Sequence, residues 1–229
     1  MDDVTLGPGN LAGRGVFATR DFAAGEVVVS YRLQPLDEAD YVALPVGEDL
    51  FVHSYGGRRF LYPAPARFVN HADDPSCYQD FDRGCDVASR AIARGEPITI
   101  DATEETAREL DTFLDAYQRA LREGSEKLLA PLVDRNATLW VAGRAVRGRD
   151  AFVAALPGVG LVSLSDVEWL VGTGRWEALC STDAATERGP RHQTMLLKVV
   201  AGNWQIIYHH VDGAALTTSA SSEDVSAGP

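Results

Sequence analysis

The sequence predicts an α+β protein: a mostly-β N-terminal part followed by an α+β cone of helices and a curved antiparallel sheet. Up to residue 102, short apolar runs are separated by glycine, proline and aspartate, which is typical of several small sheets. From residue 103 the apolar residues recur at helical spacing, and longer strand-like segments follow. We therefore predict domains at residues 1–103 and 104–213, with a disordered tail over residues 214–229.

The N-terminal part is predicted to contain only short strands. Its apolar runs cover residues 15–18, 27–31, 51–55, 60–62 and 98–100. We predict no helix longer than two turns in this part, and no internal repeat in the chain.

The second part begins with a predicted amphipathic helix. One face of it carries Leu110, Phe113, Leu114, Tyr117 and Leu121. A short helix after Ser125, a strand at 137–142 and a helix at 150–156 should follow. The remaining strands are predicted at residues 161–171, 176–181, 192–200 and 203–211, the last two forming a hairpin.

Composition and charge restrict the classes of partner. Hydrophobic residues make up 45% of the chain, which suffices for a packed core, and the net charge is -12. This acidity disfavours direct nucleic-acid binding and would suit a basic protein or peptide acceptor, although an acidic surface that keeps the protein soluble also accounts for it. The N-terminus lacks a secretory signal and no apolar run is long enough for a membrane span, so we expect a cytoplasmic protein that does not bind membranes.

The three cysteines, Cys77, Cys85 and Cys180, are odd in number and have no paired spacing. This pattern predicts a reducing compartment, and neither a disulfide framework nor a zinc site.

Three segments of the N-terminal part carry the residues that suggest its chemistry. They are Gly-Arg-Gly-Val-Phe-Ala-Thr-Arg at 13–20, Arg-Phe-Val-Asn-His-Ala-Asp-Asp-Pro at 67–75, and Gly-Glu-Pro-Ile-Thr-Ile-Asp at 95–101. In this order they resemble the signature motifs of SET-domain protein methyltransferases, a family that methylates protein lysines with S-adenosylmethionine. Each motif alone is a weak signal, and their combination favours the SET fold with its pseudoknot.

The resemblance implies a cofactor cleft and a narrow channel for an acceptor lysine, and it implies no metal. The residues that it implies for S-adenosylmethionine binding are Gly13, Arg14, Gly15, Val16, Phe17, Arg67, Phe68, Asn70 and His71. The glycines would let the backbone approach the methionine part of the cofactor, and Asn70 would meet its amino and carboxylate groups. His71 would lie against the adenine, and Asp101 would tie the pseudoknot together.

The catalytic residue cannot be assigned from the sequence. The family usually ends its last motif with Asp-Tyr and uses the tyrosine in catalysis, whereas this chain has Ala102 after Asp101. Other tyrosines in the same half could substitute for it: Tyr31, Tyr41, Tyr55, Tyr62 and Tyr78.

The second part, over residues 105–213, resembles the nuclear-transport-factor-like superfamily, which includes ketosteroid isomerases and SnoaL-like polyketide cyclases. The resemblance rests on the helix around Phe113, the Asp-Arg-Asn-Ala-Thr-Leu-Trp segment at 134–140 and the terminal strand at 202–211. It implies a pocket, for which the candidate residues are Tyr117, Asp134, Trp140, His192, Tyr208 and His210. Strand alternation predicts that Trp204, Ile206, Tyr208 and His210 share one face.

Three interpretations therefore remain open. The first is a SET-class methyltransferase that acts on a protein or peptide lysine, joined to a cone domain that binds a small molecule or forms a homodimer. The second is a SET-like binding module that no longer transfers methyl groups. The third places small-molecule isomerase, cyclase or dehydratase chemistry in the cone pocket.

Overall fold

The structure is a computed structural model that describes residues 3–172, 175–186 and 189–212. The chain divides into two compact units. The first comprises the described residues up to Ala116 together with Val199–Trp204, and the second comprises the described parts of Tyr117–Lys198 and the described residues from Gln205 onwards. The predicted tail at 214–229 lies outside the described residues.

The first unit is built from short strands, as the apolar runs predict. Its elements are β1 (Val4–Leu11), β2 (Arg14–Ala18), β3 (Val27–Ser30), β4 (Gln34–Leu36), α1 (Glu38–Val42), β5 (Val52–Tyr55), β6 (Arg58–Leu61), β7 (Asn70–His71), β8 (Cys77–Asp80), β9 (Cys85–Ala88), β10 (Pro97–Ile100) and the start of α2 (Ala102–Glu123). Apart from three short helical turns and the start of α2, the unit consists of three small sheets.

The sheets have the orders β1-β2-β10-β7, β3-β9-β8 and β4-β6-β5. The parallel pairing of β7 with β10 sets Asn70 opposite Thr99 and His71 opposite Ile100. It therefore brings the second and third sequence motifs side by side, as a pseudoknot requires. A core that includes Val16, Phe68 and Ile98 supports this arrangement.

Two turns of the first unit have the same local structure. In Ala23–Glu26 the glutamate side chain accepts a hydrogen bond from the Ala23 N–H, and in Ala93–Glu96 the glutamate does the same for Ala93. Both glycines between them have positive φ. Phe22 and Ile92, which precede the two turns, exchange backbone hydrogen bonds.

The second unit contains the remaining elements. They are the end of α2, α3 (Glu126–Leu129), β11 (Val133–Val141), β12 (Arg144–Arg147), α4 (Arg149–Ala155), β13 (Leu161–Val171), β14 (Glu177–Thr186), β15 (Arg191–Val200) and β16 (Asn203–Val211). They follow the predicted order except for β12, which was not predicted, and β14 extends five residues beyond the predicted end at Ser181.

The strands of the second unit form one sheet in the order β12-β11-β16-β15-β14-β13. The pairs β11–β12, β13–β14 and β14–β15 are antiparallel, whereas β11 and β16 run parallel. The predicted stripe of α2 is buried at Leu114 and Tyr117. The predicted α+β class is confirmed for both parts of the chain. None of the described helices is both long and apolar enough to cross a lipid bilayer.

Candidate functional site

A glycine-rich hairpin forms one wall of the candidate site in the first unit. β1 and β2 pair around a turn in which Ala12 and Gly13 both have positive φ. A side chain at Gly9 would collide with the backbone of Arg14, since its Cβ would lie 2.3 Å from the Arg14 oxygen. By contrast, a Cβ at Gly13 would meet nothing within 4 Å. The hairpin therefore packs closely along its length and leaves open space at its tip.

The Asn70 amide fastens this hairpin to the second motif. Its Oδ1 accepts hydrogen bonds from the N–H groups of Asn10 and Leu11, at 2.8 and 2.9 Å. Its Nδ2 donates to the carbonyl oxygens of Arg14 and Phe68, at 2.9 and 2.8 Å. All the hydrogen-bonding capacity of the amide is thus used within the chain, and direct binding of a cofactor by Asn70 stays a prediction.

Two arginines flank the same region and differ in their partners. The Arg14 guanidinium lies 5.1 Å from the centre of the Phe68 ring, and no carboxylate of the described residues is within ion-pair range of it. Arg67 lies near the rings of Phe51 and Phe68 and forms an ion pair with Glu48. Arg14 is therefore the cation that can receive an anionic group.

The remaining predicted cofactor residues are structural or lie at the surface. Val16 is buried, and the Phe17 ring lies directly over Gly7. His71 is partly exposed, and its Nδ1 accepts the N–H of Ala102 at 3.2 Å. Asp101 accepts the Thr103 N–H at 2.9 Å and so caps α2. The first motif and Asn70 are brought together as predicted.

Three of the five tyrosines that could replace the missing motif tyrosine form one cluster, in which Tyr62 is buried and the other two are partly buried. The rings of Tyr31 and Tyr62 are 5.0 Å apart, and the hydroxyls of Tyr55 and Tyr62 are 3.3 Å apart. Because the Tyr55 hydroxyl donates its hydrogen to Glu105 Oε1 at 2.7 Å, the Tyr62 hydroxyl must be the donor to Tyr55. Tyr78 is 46% exposed and lies outside this group, and Tyr41 packs instead against Arg59.

Two buried glutamates of α2 face the tyrosines. His53 Nδ1 lies 3.4 Å from Glu105 and 3.3 Å from Glu109. Burial opposes a charge on His53, but the two carboxylates outweigh it and raise the pKa of His53 to about 9. Glu109 also accepts the Ser54 N–H at 2.8 Å and the Trp204 indole N–H at 3.2 Å. The imidazolium and its two carboxylates therefore form a fixed group of charges.

A second buried carboxyl, that of Asp86, belongs to the same unit. Asp86 is 1% exposed, and its Oδ1 has no hydrogen-bond partner among the described residues. Burial raises the pKa of Asp86 to about 8, and the negative charge of Glu105 adds to the rise. Gln79, directly opposite Asp86 in the β8–β9 pairing, also has an unpartnered buried oxygen.

The sequence did not predict the buried acids Glu105, Glu109 and Asp86, because each of them has an ordinary local explanation. Glu105 reads as a residue that suits the helix dipole, yet it is 7% exposed. The signal that could have revealed it is the spacing of Glu105 and Glu109, four residues apart and next to the apolar stripe of α2.

The interior of the second unit contains its own buried polar group. His209 is fully buried, and its Nε2 lies 2.8 Å from Gln193 Oε1. His209 Nδ1 and Gln193 Nε2 have no partner among the described residues. Burial lowers the pKa of His209 to about 3, with a further contribution from His210, so the imidazole is neutral. The rings of Tyr117 and Phe152 each lie 6.0 Å from it.

Of the six predicted pocket residues, only Tyr117 lies in this interior. Trp140 and Tyr208 are 39% and 37% exposed. His192 pairs with Asp183 and His210 with Asp212 at the surface, while Asp134 accepts the N–H of Asn136. The predicted face of β16 was therefore wrong beyond Ile206.

The reason is a break in strand alternation. Trp204 and Ile206 are fully buried, but the next buried side chains are His209 and Val211. The pairing of β16 with β11 is irregular at the same place, with a register shift between Val133 and Thr138 of β11. A single-strand pattern cannot reveal an irregularity in its neighbour.

Comparison with known proteins supports the resemblance of the N-terminal part. Residues 13–101 match the family model described as SET domain. No curated protein matches the chain significantly. The N-terminal part is therefore a SET-class fold, as predicted.

Several solved structures are also similar. A provisionally assigned histone methyltransferase of Plasmodium falciparum is 16% identical, with a TM-score of 0.35, covering 44% of this chain and 93% of its own. A DUF3225-family protein of unknown function from Pectobacterium atrosepticum is 18% identical, with a TM-score of 0.41, covering 51% and 94%. A Caulobacter vibrioides protein with a cystatin-like fold is 19% identical, with a TM-score of 0.39, covering 50% and 92%. These likenesses carry no functional argument.

Proposed function

We propose that the first unit is an S-adenosylmethionine-dependent methyltransferase that transfers a methyl group to an amine, with a lysine of a protein or peptide as the acceptor class. The observation that carries the proposal is the cluster of Tyr31, Tyr55 and Tyr62. It supplies phenol groups to a SET-class fold whose last motif has Ala102 in place of tyrosine. Because Tyr55 is held by Glu105, its hydroxyl has a fixed orientation.

The residues of the first motif fit S-adenosylmethionine. The space beside Gly13 admits a ligand against the hairpin backbone. Arg14, which has no carboxylate partner among the described residues, can receive the cofactor's carboxylate. When bound, the cofactor supplies an electrophilic methyl group. Asn70 acts as a positioning residue, since its four hydrogen bonds hold the hairpin against the second motif.

The buried aromatic and acidic groups would act on the acceptor. Phenol rings exclude water and restrict the rotation of an alkyl amine that packs against them. The net negative charge of the protein favours a basic peptide, such as one that carries the acceptor lysine.

Calorimetric titration of the purified protein with S-adenosylmethionine tests this proposal. We expect binding in the micromolar class, about -8 kcal/mol. Arg14→Ala should weaken it about tenfold through the loss of a charge-assisted contact, whereas Arg147→Ala, an exposed arginine of β12, should leave it unchanged. Absence of binding at millimolar cofactor would overturn the proposal. Binding without methyl transfer would favour the alternative of a SET-like binding module.

A second candidate function, small-molecule binding or chemistry in the second unit, is supported by His209 and Gln193. A neutral imidazole with an unpartnered nitrogen next to an unpartnered amide can act as a base or bind a hydroxyl group. Ligand-observed NMR with a panel of small cyclic ketones would test it. Signals that disappear in His209→Phe would support it, and equal signals in both proteins would oppose it. Homodimerisation through this unit stays a prediction.

A further inference from the structure

The side chains of Tyr31, Gln79 and Asp86 lie on one side of the β3-β9-β8 sheet. Gln79 lies opposite Asp86 in the β8–β9 pairing, and Val29 of β3 lies opposite Asp86 on its other side. Tyr31 follows Val29 by two residues, the spacing at which side chains share a face. Gln79 Oε1 and Asp86 Oδ1 are buried and have no hydrogen-bond partner among the described residues, and the buried Tyr31 hydroxyl interacts with the Gln79 side chain and with Asp86.

The chemistry of these atoms defines what they lack. A protonated Asp86 carries a hydrogen of its own, which together with the phenol hydrogen can satisfy both unpartnered oxygens. Once Asp86 is ionised, its carboxylate and the Gln79 amide oxygen only accept hydrogen bonds, and the single phenol hydrogen cannot satisfy both of them. Leaving such groups unpartnered in the interior costs about 1–3 kcal/mol each. The ionised form therefore lacks a donor with several N–H or O–H bonds rather than an anion. An alkylammonium, with three N–H donors and a positive charge, matches three oxygens of which one can become a carboxylate.

We propose that Tyr31, Gln79 and Asp86 bind the ammonium group of the methyl acceptor, and that Asp86 accepts its proton. This inference rests on the proposed function and assigns a catalytic residue to it. The step is a proton transfer from R–NH₃⁺ to the Asp86 carboxylate. One N–H bond breaks, one O–H bond forms, and the electron pair stays on nitrogen as the lone pair of a neutral amine. A neutral amine is the form that can act as a nucleophile.

The surroundings of Asp86 agree with this role. Without a ligand its pKa is about 8, because burial disfavours the charged form and Glu105 repels it. An ammonium next to the carboxyl would favour the carboxylate and lower that pKa. The other titratable groups that interact with Asp86 are the phenol of Tyr31 and the thiols of Cys77 and Cys85, and burial raises the pKa of all three. They stay neutral near neutral pH, so the ligand-dependent change belongs to Asp86.

Carbon-13 NMR of the aspartate carboxyls in the full chain tests the proposal, with n-butylammonium chloride as the probe. The Asp86 signal is assigned by its loss in Asp86→Asn. We expect it to titrate near pH 8 in the free protein and at lower pH with the probe. n-Butanol, which has the same chain and no charge, should leave the titration unchanged. Tyr31→Phe, which removes one oxygen, should weaken probe binding about three- to tenfold.

Matched variants separate folding from binding. Asp80→Asn, on β8 of the same sheet, removes a partly buried carboxyl that accepts the Arg83 N–H, and should bind the probe like the wild type. Asp86→Asn is isosteric and should fold, as judged by circular dichroism, while it loses probe binding at least tenfold. If the protein binds S-adenosylmethionine but the probe does not change the apparent pKa of Asp86, this inference alone is overturned. A response to the probe without any cofactor binding would overturn the proposed function and leave the ammonium site standing.

Discussion

The Asp86 carboxyl should make the folded protein less stable as the pH rises. From its ordinary value of 3.8, the pKa of Asp86 rises to about 8 in the fold because burial disfavours the charge. The unfolded chain therefore releases this proton first, and stability is lost between about pH 4 and about pH 8. At pH 7 the solution is about three pH units above the pKa of Asp86 in the unfolded chain. Each unit is worth about 1.4 kcal/mol, so keeping Asp86 protonated in the fold costs up to about 4 kcal/mol of the free energy of unfolding. Asp86→Asn removes this titration, and its amide brings two donors to the unpartnered oxygens nearby.

We expect Asp86→Asn to be more stable than the wild type at neutral pH, with the difference growing up to about pH 8 and nearly vanishing near pH 4. Urea unfolding followed by tryptophan fluorescence and circular dichroism, at several pH values, measures it. Asp80→Asn should show no such pH-dependent gain. A variant that is less stable than the wild type at pH 8 would refute the reasoning, since it would mean that Asp86 is ionised and well partnered in the fold.

Three further substitutions test other parts of the structure by urea unfolding. Gly202→Ala should cost about 1–3 kcal/mol, because φ is +71° there and the new Cβ would lie 2.8 Å from the Tyr41 ring. The pKa of His53 is raised to about 9, so the stabilisation from its ion pairs with the two glutamates is fully present below about pH 6.5 and is lost as the pH rises through 9. His53→Gln should remove about 1–3 kcal/mol of that pH-dependent stability. The pKa of His209 is lowered to about 3, so the wild type loses stability as the pH falls below about 6.5, and His209→Phe should lack this acid-side slope whatever its absolute stability.

The sequence predicts the parts of the site that are local. The turn at Gly13 needs a residue that adopts positive φ, and the Asn-His pair lies next to an apolar run that becomes core. Such features depend on a few neighbouring residues, so their motifs can be recognised in one chain. The helical stripe of α2 is predicted for the same reason, because its periodicity is internal to the helix.

The burial of acids such as Glu109 could not be predicted, because it depends on contacts between segments that are distant in the sequence. Glu109 receives the N–H of Ser54, 55 residues earlier, and the indole N–H of Trp204, 95 residues later. The partners of a buried carboxylate decide whether its burial is tolerated, and periodicity does not reveal them. The inward position of His209 likewise lies beyond the point where the burial alternation of β16 breaks and its pairing with β11 becomes irregular, which the sequence of β16 alone does not reveal.

Methyl transfer to a lysine-containing peptide library is the most direct test of the central claim. The protein would be incubated with S-adenosylmethionine that carries a labelled methyl group, and the label would be located on the peptides by mass spectrometry. We predict label on lysine amines with the wild type, at a rate that rises as Asp86 ionises towards about pH 8, and strongly reduced label with Asp86→Asn. Cofactor binding without label on any amine across this pH range would contradict the account and identify the first unit as a binding module.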